Sequence, residues 1–230
     1  MIARLCVPAA LALLLAGCPS SKTSTATNTV GPTPPTEGKP PVASAIEAPP
    51  AAKAAVGQKA PDFSLADLDG KKVELAAFAG KTIVLEWFNP QCPFIKEAHT
   101  HTLRDYGNEL VKKGVVVLAI NSAAPGKQGN DPKENVAARE RFGIQYPILL
   151  DPTGVVGKSY GATNTPHMFV IDDKGVLVYE GAIDDTQGGD PDPGETVTNY
   201  VEQALQSIAK GTPPKAAHTK AWGCGVKYGS

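Results

Sequence analysis

Cys92 is the residue of this chain that is best placed to do chemistry, because of the sequence on either side of it. The apolar, β-branched run over residues 82–88 leads into the proline-containing segment 89–93, and an amphipathic stretch begins at Phe94. This order predicts a strand, a short loop and a helix whose first turn carries the cysteine. The unpaired N–H groups and the positive dipole end of a helix stabilise a thiolate, which favours a nucleophilic sulfur near neutral pH.

Cys224 is the other thiol expected in the folded part, since Cys6 lies in an apolar run near the N-terminus and Cys18 at its end. A pair formed by Cys92 and Cys224 would have one intramolecular connectivity. About 14 residues separate the last predicted helix from Cys224, and an extended chain covers roughly 3.3–3.6 Å per residue, so the tail can reach Cys92. Trp222 and the glycines around Cys224 indicate a tail that docks on the domain; an incidental tail thiol is the alternative.

The first 17 residues predict an export signal. Arg4 precedes an apolar run that is too short to span a bilayer as a mature helix. The run ends in Leu-Ala-Gly-Cys, which resembles a bacterial lipobox. This resemblance implies cleavage before Cys18, lipidation of its thiol and a membrane-anchored lipoprotein on the periplasmic side of the cell envelope. Ordinary signal cleavage nearby is the alternative. Residues 18–55, which are rich in Ser, Thr, Pro and Ala, predict a disordered tether.

The remaining chain predicts one α/β domain over residues 56–211, followed by a tail over 212–230. Residues 63–75 indicate a β-hairpin around Asp69-Gly70. Further strands are expected at 82–88, 115–120, 147–150, 167–171 and 176–179, and helices at 94–113, 132–142, 155–160 and 195–210. This order predicts a mixed central sheet with helices on both faces.

Composition and the remaining polar residues exclude other functions. The formal net charge is −1 and there is no basic run, so nothing supports nucleic-acid binding. His99 and His101 are two positions apart on a predicted helix and point to different faces, so they are not a metal pair and a solvated surface is expected for them. No metal and no cofactor is predicted.

The chain from about Gly57 to Lys210 resembles the redoxin branch of the thioredoxin superfamily. This branch includes the alkyl-hydroperoxide-reductase/thiol-specific-antioxidant proteins and the exported TlpA-like thiol–disulfide oxidoreductases. Residues 57–63 resemble the opening of these domains, and residues 161–175 resemble their cis-proline strand and hairpin. The segment 222–227 resembles the tail of a peroxiredoxin-like subgroup. The resemblance implies a thioredoxin-like fold.

The resemblance also assigns roles around the cysteine. Cys92 falls on the nucleophilic cysteine of the family. Ile95 stands where the second cysteine of a Cys-x-x-Cys motif would be, so a local disulfide is impossible, and Cys224 is the candidate resolving cysteine. Asn89 stands where peroxiredoxins have Thr or Ser; we expect it to stabilise the thiolate and the incoming atom.

Two further features match the family. Glu86, six residues before the cysteine, matches a buried acid that shuttles protons, because burial raises the pKa of a carboxyl group; a glutamate facing solvent or a lysine is the alternative. Thr165-Pro166 matches the cis-proline, with a trans bond as the alternative. Pro93, Thr165 and Pro166 are expected to position the substrate.

The sequence therefore predicts an exported, membrane-tethered redoxin that acts on a peroxide or a protein disulfide and is reduced by an external thiol donor. The alternative from another class is a catalytically silent binding or metal-handling lipoprotein with the same fold. The missing second cysteine favours that alternative, whereas the combination of Cys92, Glu86 and Thr165-Pro166 opposes it.

Overall fold

The structure is a computed structural model that describes residues 53–187, 191, 194 and 196–230. The predicted signal, Cys18 and the tether up to residue 52 lie outside the described residues. Residues 53–55, the end of the predicted tether, are described, and the Ala54 N–H donates to the Ser159 carbonyl at 2.8 Å. In the described part, no helix is long and apolar enough to cross a membrane.

Nine strands and five helices form the described domain. The strands are β1 (Ser64–Asp67), β2 (Lys72–Glu74), β3 (Ile83–Trp87), β4 (Val116–Asn121), β5 (Ile148–Leu150), β6 (Asn164–Thr165), β7 (Met168–Ile171), β8 (Leu177–Gly181) and β9 (Cys224–Gly225). The helices are α1 (Pro93–Thr100), α2 (Tyr106–Lys112), α3 (Pro132–Arg141), α4 (Val155–Tyr160) and α5 (Tyr200–Lys210), with a short 3-10 helix at Leu75–Phe78.

Seven of the strands form one mixed sheet in the order β2-β1-β5-β4-β3-β7-β8. The neighbours β3, β4 and β5 run parallel, and the remaining pairs are antiparallel. This is a thioredoxin-like arrangement, and it confirms the predicted fold class with its N-terminal hairpin.

The central strand β3 divides the core into two layers. Its residues and Phe88, which follows it, alternate between the faces of the sheet, so that Val84 and Phe88 pack in one apolar cluster and Leu85 and Trp87 in the other. Cys92 belongs to the first cluster. Because all five β3 residues are buried, this strand fixes the loop that carries the cysteine.

The long helix predicted over residues 94–113 is wrong, because the chain forms two helices with a turn between them. Helix α1 ends at Thr100, and α2 starts after Asp105, whose φ of 57° lies in the left-handed region. Asp adopts this conformation more readily than most residues. The N–H of Leu103 donates to the Ala98 carbonyl at 2.7 Å, and the Leu103 side chain is buried.

The last helix also begins later than predicted, at Tyr200 instead of residue 195. Asn199 is its N-cap, and the Asn199 side chain accepts a hydrogen bond from the N–H of Glu202 at 2.8 Å. Residue 195 lies outside the described residues. An N-cap asparagine satisfies an otherwise unpaired N–H of the first turn, which accounts for the start at this position.

The C-terminal tail is ordered against the domain. Beyond α5 the tail runs beside β8, where the Thr219 N–H donates to the Glu180 carbonyl at 3.1 Å. It then forms β9, which pairs antiparallel with β6. Farther on, the Ala124 N–H donates to the Lys227 carbonyl at 2.9 Å.

Candidate active site

Cys92 is the N-cap residue of helix α1 rather than a member of its first turn. The Cys92 N–H donates to the Asn89 carbonyl at 3.1 Å, and its carbonyl accepts from Lys96 N at 3.1 Å. Pro93 occupies the first helical position, where its missing N–H costs no hydrogen bond. The Cys92 side chain is completely buried, and its Sγ–H donates to the Thr165 carbonyl at 3.2 Å.

Strand β9 brings Cys224 to the same place. In the β6–β9 pair, Thr165 is directly opposite Cys224. Both cysteines are free thiols, and the side chain of Cys224 is hydrogen-bonded to that of Cys92. The backbone N–H groups of Phe94 and Ile95, in the first turn of α1, are directed at the sulfurs of Cys224 and Cys92 respectively. Both sulfurs therefore lie at one helix N-terminus.

The two thiols differ in acidity. Burial raises the pKa of Cys92, but hydrogen bonds from the side chains of Cys224 and Thr165 and from the backbone of Ile95 outweigh it, so that its pKa is lowered. Burial raises the pKa of Cys224 to about 11, and its hydrogen bond to Cys92 and the nearby charge there add to the effect. Lys227 offsets part of this rise. The thiolate is therefore favoured on Cys92 and the proton on Cys224.

The Thr165-Pro166 peptide bond is cis, as predicted. The tail approaches this segment so closely that a side chain does not fit at Gly223, which has a φ of +106°. A Cβ atom at this position would overlap the Thr165 carbonyl oxygen. On the other side of the contact, the Asn164 side-chain amide donates to the Gly223 carbonyl at 2.9 Å.

Asn89 has different partners from those expected. Its Nδ2 donates to the Gln128 carbonyl at 3.1 Å, and its Oδ1 accepts from the Gln91 N–H at 2.9 Å. Gly129 packs directly on the amide, since a Cβ there would overlap it. The side chain of Asn89 therefore braces the loop before α1, and the hydrogen bond between Asn89 and Cys92 is made by the Asn89 backbone carbonyl.

Glu86 is buried on β3, so the solvent-facing alternative is excluded. Its Oε1 lies 2.9 Å from His99 Nε2, and its Oε2 accepts a hydrogen bond from the Tyr146 hydroxyl at 3.1 Å. Burial, followed by the charge and hydrogen bond of Glu86, raises the pKa of Tyr146 well above its ordinary value, so the tyrosine remains a donor. Both carboxylate oxygens thus have a partner.

The solvated position expected for His99 is wrong. The ring of His99 is buried, stacks on Phe142 at 4.9 Å and meets Phe88 edge-on at 5.8 Å. A sequence signal did exist, because His99 follows Ile95 by four residues and so shares its buried helix face. Tyr146 has no comparable signal, because it precedes the short strand β5 in an irregular segment.

Comparison with known proteins identifies the family of the domain that carries these residues. The family model described as Redoxin matches residues 55–200, which is more than half of the 230-residue chain. The chain belongs to the redoxin family of thioredoxin-fold oxidoreductases. The match ends before the tail, so Cys224 lies outside the part that defines the family.

Relatives of this redoxin include a protein named thiol-disulfide oxidoreductase ResA from Geobacillus thermodenitrificans. It is 37% identical over 127 residues, which cover 53% of this chain and 66% of the relative, slightly less than two thirds of its length. A solved structure of an uncharacterized conserved protein from Geobacillus kaustophilus has a TM-score of 0.67 at 30% identity and covers 76% of this chain and 93% of its own. A putative thioredoxin from Neisseria meningitidis has a TM-score of 0.50 at 25% identity, over 66% of this chain and 91% of its own.

His167 follows the cis-proline in this redoxin and is buried. Burial lowers its pKa to about 4, with a smaller contribution from the charge of His218. Its Nδ1 accepts a hydrogen bond from the Thr163 N–H at 3.3 Å, which requires the neutral ring. At the rim of the site, Phe94 is 41% exposed, and its ring lies 6.2 Å from that of Trp222.

Among the described residues of the redoxin, no group of three or more His, Cys, Asp and Glu side chains is arranged to hold a metal ion. The predicted site residues Cys92, Cys224, Thr165 and Pro166 converge at the N-terminus of α1. Glu86 lies on the same face of β3 as Val84 and Phe88, which pack in the apolar cluster of Cys92.

Proposed function

We propose that this redoxin is a thiol–disulfide oxidoreductase in which Cys92 is the nucleophile and Cys224 resolves the intermediate. The observation that carries the proposal is the β6–β9 register, which places Cys224 opposite Thr165 while the Cys92 thiol donates to the carbonyl of the same residue. The tail thus supplies the second thiol that the sequence Cys92-Pro93-Phe94-Ile95 lacks.

The reaction proceeds in two exchanges. The Cys92 thiolate attacks one sulfur of a substrate disulfide, so that a mixed disulfide forms at Cys92 and one substrate thiolate leaves. Cys224 then loses its proton and attacks the Cys92 sulfur. The Cys92–Cys224 disulfide forms, and the second substrate thiol is released after taking up a proton. Two electrons have passed from the two cysteines to the substrate. An external thiol donor then supplies two electrons that reduce the Cys92–Cys224 disulfide.

The site residues have separate tasks in this sequence. The first N–H groups of α1 and the side chain of Thr165 stabilise the Cys92 thiolate. The raised pKa of Cys224 keeps its proton in place until the mixed disulfide has removed the neighbouring negative charge. Thr165 and Pro166 position the reacting sulfurs, and Pro93 starts the helix at the rim. Asn89 holds the loop that carries Cys92.

Glu86 is proposed to act as a proton shuttle during the second exchange, in which Cys224 loses a proton and the leaving substrate thiolate takes one up. Its burial and its two partners, His99 and Tyr146, support a carboxyl group whose proton is exchanged locally. Glu86 lies on the face of β3 that packs toward the cluster containing Cys92, so the proton donor and acceptor belong to one layer of the domain.

Export and lipidation are proposed on the sequence alone. Residues 1–17 would direct secretion, and lipid on Cys18 would anchor the domain at the membrane through the tether. A secreted location fits a dithiol enzyme, since disulfides persist outside the cytoplasm. Fractionation of cells expressing the full chain tests this: Cys18→Ala should move the protein out of the membrane fraction.

Disulfide exchange is tested with the reduced protein and oxidised glutathione. Cys92→Ser should abolish the reaction. Cys224→Ser should stop it after one exchange, with glutathione attached to Cys92 and one glutathione thiol released for each protein molecule. A Cys224→Ser variant that releases the second glutathione thiol at the wild-type rate would remove Cys224 from the mechanism. A Cys92 that forms no adduct would favour the alternative of a catalytically silent binding or metal-handling protein.

A further inference from the structure

The tail fills the strand edge beside the cis-proline, and this bears on the kind of disulfide that the site accepts. The N–H of Val226 donates to the Thr163 carbonyl at 3.0 Å, and β9 pairs along Asn164 and Thr165. An extended polypeptide binds to a sheet edge by adding a strand, which needs free backbone groups. At β6 these groups already have partners within the same chain.

The tail is fixed on both sides of Cys224. Before it, the Thr219 hydroxyl lies 2.6 Å from the Tyr179 hydroxyl and accepts from the Ala182 N–H at 2.9 Å. After it, the Tyr228 hydroxyl donates to the Ala162 carbonyl at 2.8 Å. The Tyr228 ring also covers Gly157, where a Cβ atom would overlap the phenol.

The body of the domain is shaped to receive this tail. Gly181 lies beneath Thr219 with a φ of +146°, and a Cβ there would overlap the Thr219 hydroxyl and backbone. Gly223 is equally required at the β6 contact. With Gly157, three close approaches between the tail and the rest of the domain therefore depend on glycine. A tail that was only loosely associated would not need them.

We infer that the oxidised substrate of this redoxin is a low-molecular-weight disulfide and that the docked tail excludes extended segments of proteins. This inference rests on the proposed function. Cys92 is completely buried, and the partly buried Cys224 side chain is hydrogen-bonded to it, so we expect a small disulfide to reach Cys92 when that side chain moves. A protein segment that pairs with β6 needs the whole of β9 to detach, with the loss of several hydrogen bonds.

The test compares two substrates on the full-length reduced protein: oxidised glutathione and insulin, whose disulfides lie in polypeptide. Thr219→Val with Tyr228→Phe removes anchors of the tail on both sides and leaves both cysteines and Gly223 in place. We expect glutathione to react faster than insulin with the wild type. In the double variant, the insulin rate should rise about tenfold relative to the glutathione rate.

Two further variants keep the test decisive. Tyr228→Phe alone loosens one anchor and should show a smaller shift in the same direction if the double variant does not fold. Tyr106→Phe removes a tyrosine hydroxyl that donates to Glu202 of helix α5 at 3.4 Å and, within the described residues, makes no hydrogen bond to the tail that anchors Cys224, so it should leave the ratio of the two rates unchanged.

The outcomes separate the inference from the proposed function. If wild-type protein reduces insulin as fast as glutathione, and loosening the tail changes nothing, the tail does not select substrates while the disulfide exchange itself stands. If neither substrate reacts in the wild type or the variants, the proposed function fails together with the inference. A rise in the relative insulin rate on loosening the tail supports both.

Discussion

Thr165 and Cys224 are directly opposite each other in the β6–β9 pair, and the same Thr165 accepts a hydrogen bond from Cys92 through its carbonyl oxygen. One residue therefore contacts both cysteines. In a Cys-x-x-Cys site, a single helix turn fixes the two sulfurs relative to each other. Here their relative position depends on how the tail docks beside Thr165.

Gly223 is the residue that this docking requires. Gly223→Ala places a methyl group against the Thr165 carbonyl at a φ that L-residues rarely adopt, so we expect β9 to detach and Cys224 to lose its position. Formation of the Cys92–Cys224 disulfide during oxidation should slow by about tenfold or more, measured by quenched alkylation and mass spectrometry.

The matched control for this substitution is Gly225→Ala. A Cβ at position 225 would lie 4.0 Å from the nearest atom, the Thr163 carbonyl oxygen, and the residue has no positive φ. Its rate of disulfide formation should remain close to that of the wild type. Equal slowing in the two variants would contradict the role given to Gly223.

The acidity of Cys92 should depend on the Cys224 thiol. Cys224→Val keeps the site filled but removes the hydrogen-bond donor, so the pKa of Cys92 should rise toward its ordinary value. Cys224→Ser retains a donor and should raise it less. The pH dependence of Cys92 alkylation by iodoacetamide measures both, and a lower or unchanged pKa in Cys224→Val would refute this account.

The buried carboxyl group of Glu86 should make Tyr146 important for stability. Tyr146→Phe leaves Oε2 of Glu86 without its donor in a buried site, which should lower the free energy of unfolding by about 1–3 kcal/mol. Tyr106→Phe removes a longer, partly exposed hydrogen bond of 3.4 Å and should cost less than about 1 kcal/mol. Urea denaturation compares the two, and the reverse order would show that the Tyr146 contact is unimportant.

Because His167 is buried in its neutral form, the folded protein should lose stability in acid. Its folded-state pKa of about 4 lies below the unfolded value of 6.5, so the unfolded state binds the proton more tightly between these values. The contribution of neutral His167 is complete above pH 6.5 and is lost as the pH falls toward 4, by about 3 kcal/mol in total.

The variant His167→Gln should flatten this dependence. The difference in unfolding free energy between pH 7 and pH 4.5 should be smaller in His167→Gln than in the wild type. His101→Gln is the control, because His101 is more exposed and pairs with Glu97 at 3.0 Å. If both variants keep the wild-type slope, protonation of His167 does not limit stability in acid.

Local sequence patterns were sufficient to predict the strand and the helix on either side of Cys92. The continuous apolar run of β3 and the proline after Cys92 placed the cysteine at a helix start. These features depend on neighbours in sequence, so they can be predicted without knowledge of the tertiary structure. The cis bond at Thr165-Pro166 was implied by the resemblance to the redoxin family, and the structure contains it.

The contacts that complete the site are tertiary and left weaker signals. Strand β9 is two residues long and has no alternation that could identify it. The partners of Glu86 come from α1 and from the segment before β5, and the first of them, His99, was expected at the surface. The amide of Asn89 is directed to Gln128 by the packing of a loop that local patterns do not describe.

The central claim is that Cys92 and Cys224 form one redox pair, and peptide mapping after oxidation tests it most directly. The reduced full-length protein is treated with a stoichiometric amount of oxidised glutathione, its intact mass is measured, and its peptides are separated without reductant. We predict the loss of two hydrogens and a peptide in which Cys92 is cross-linked to Cys224. A protein that keeps glutathione on Cys92, with Cys224 recovered as a free thiol, would contradict the account.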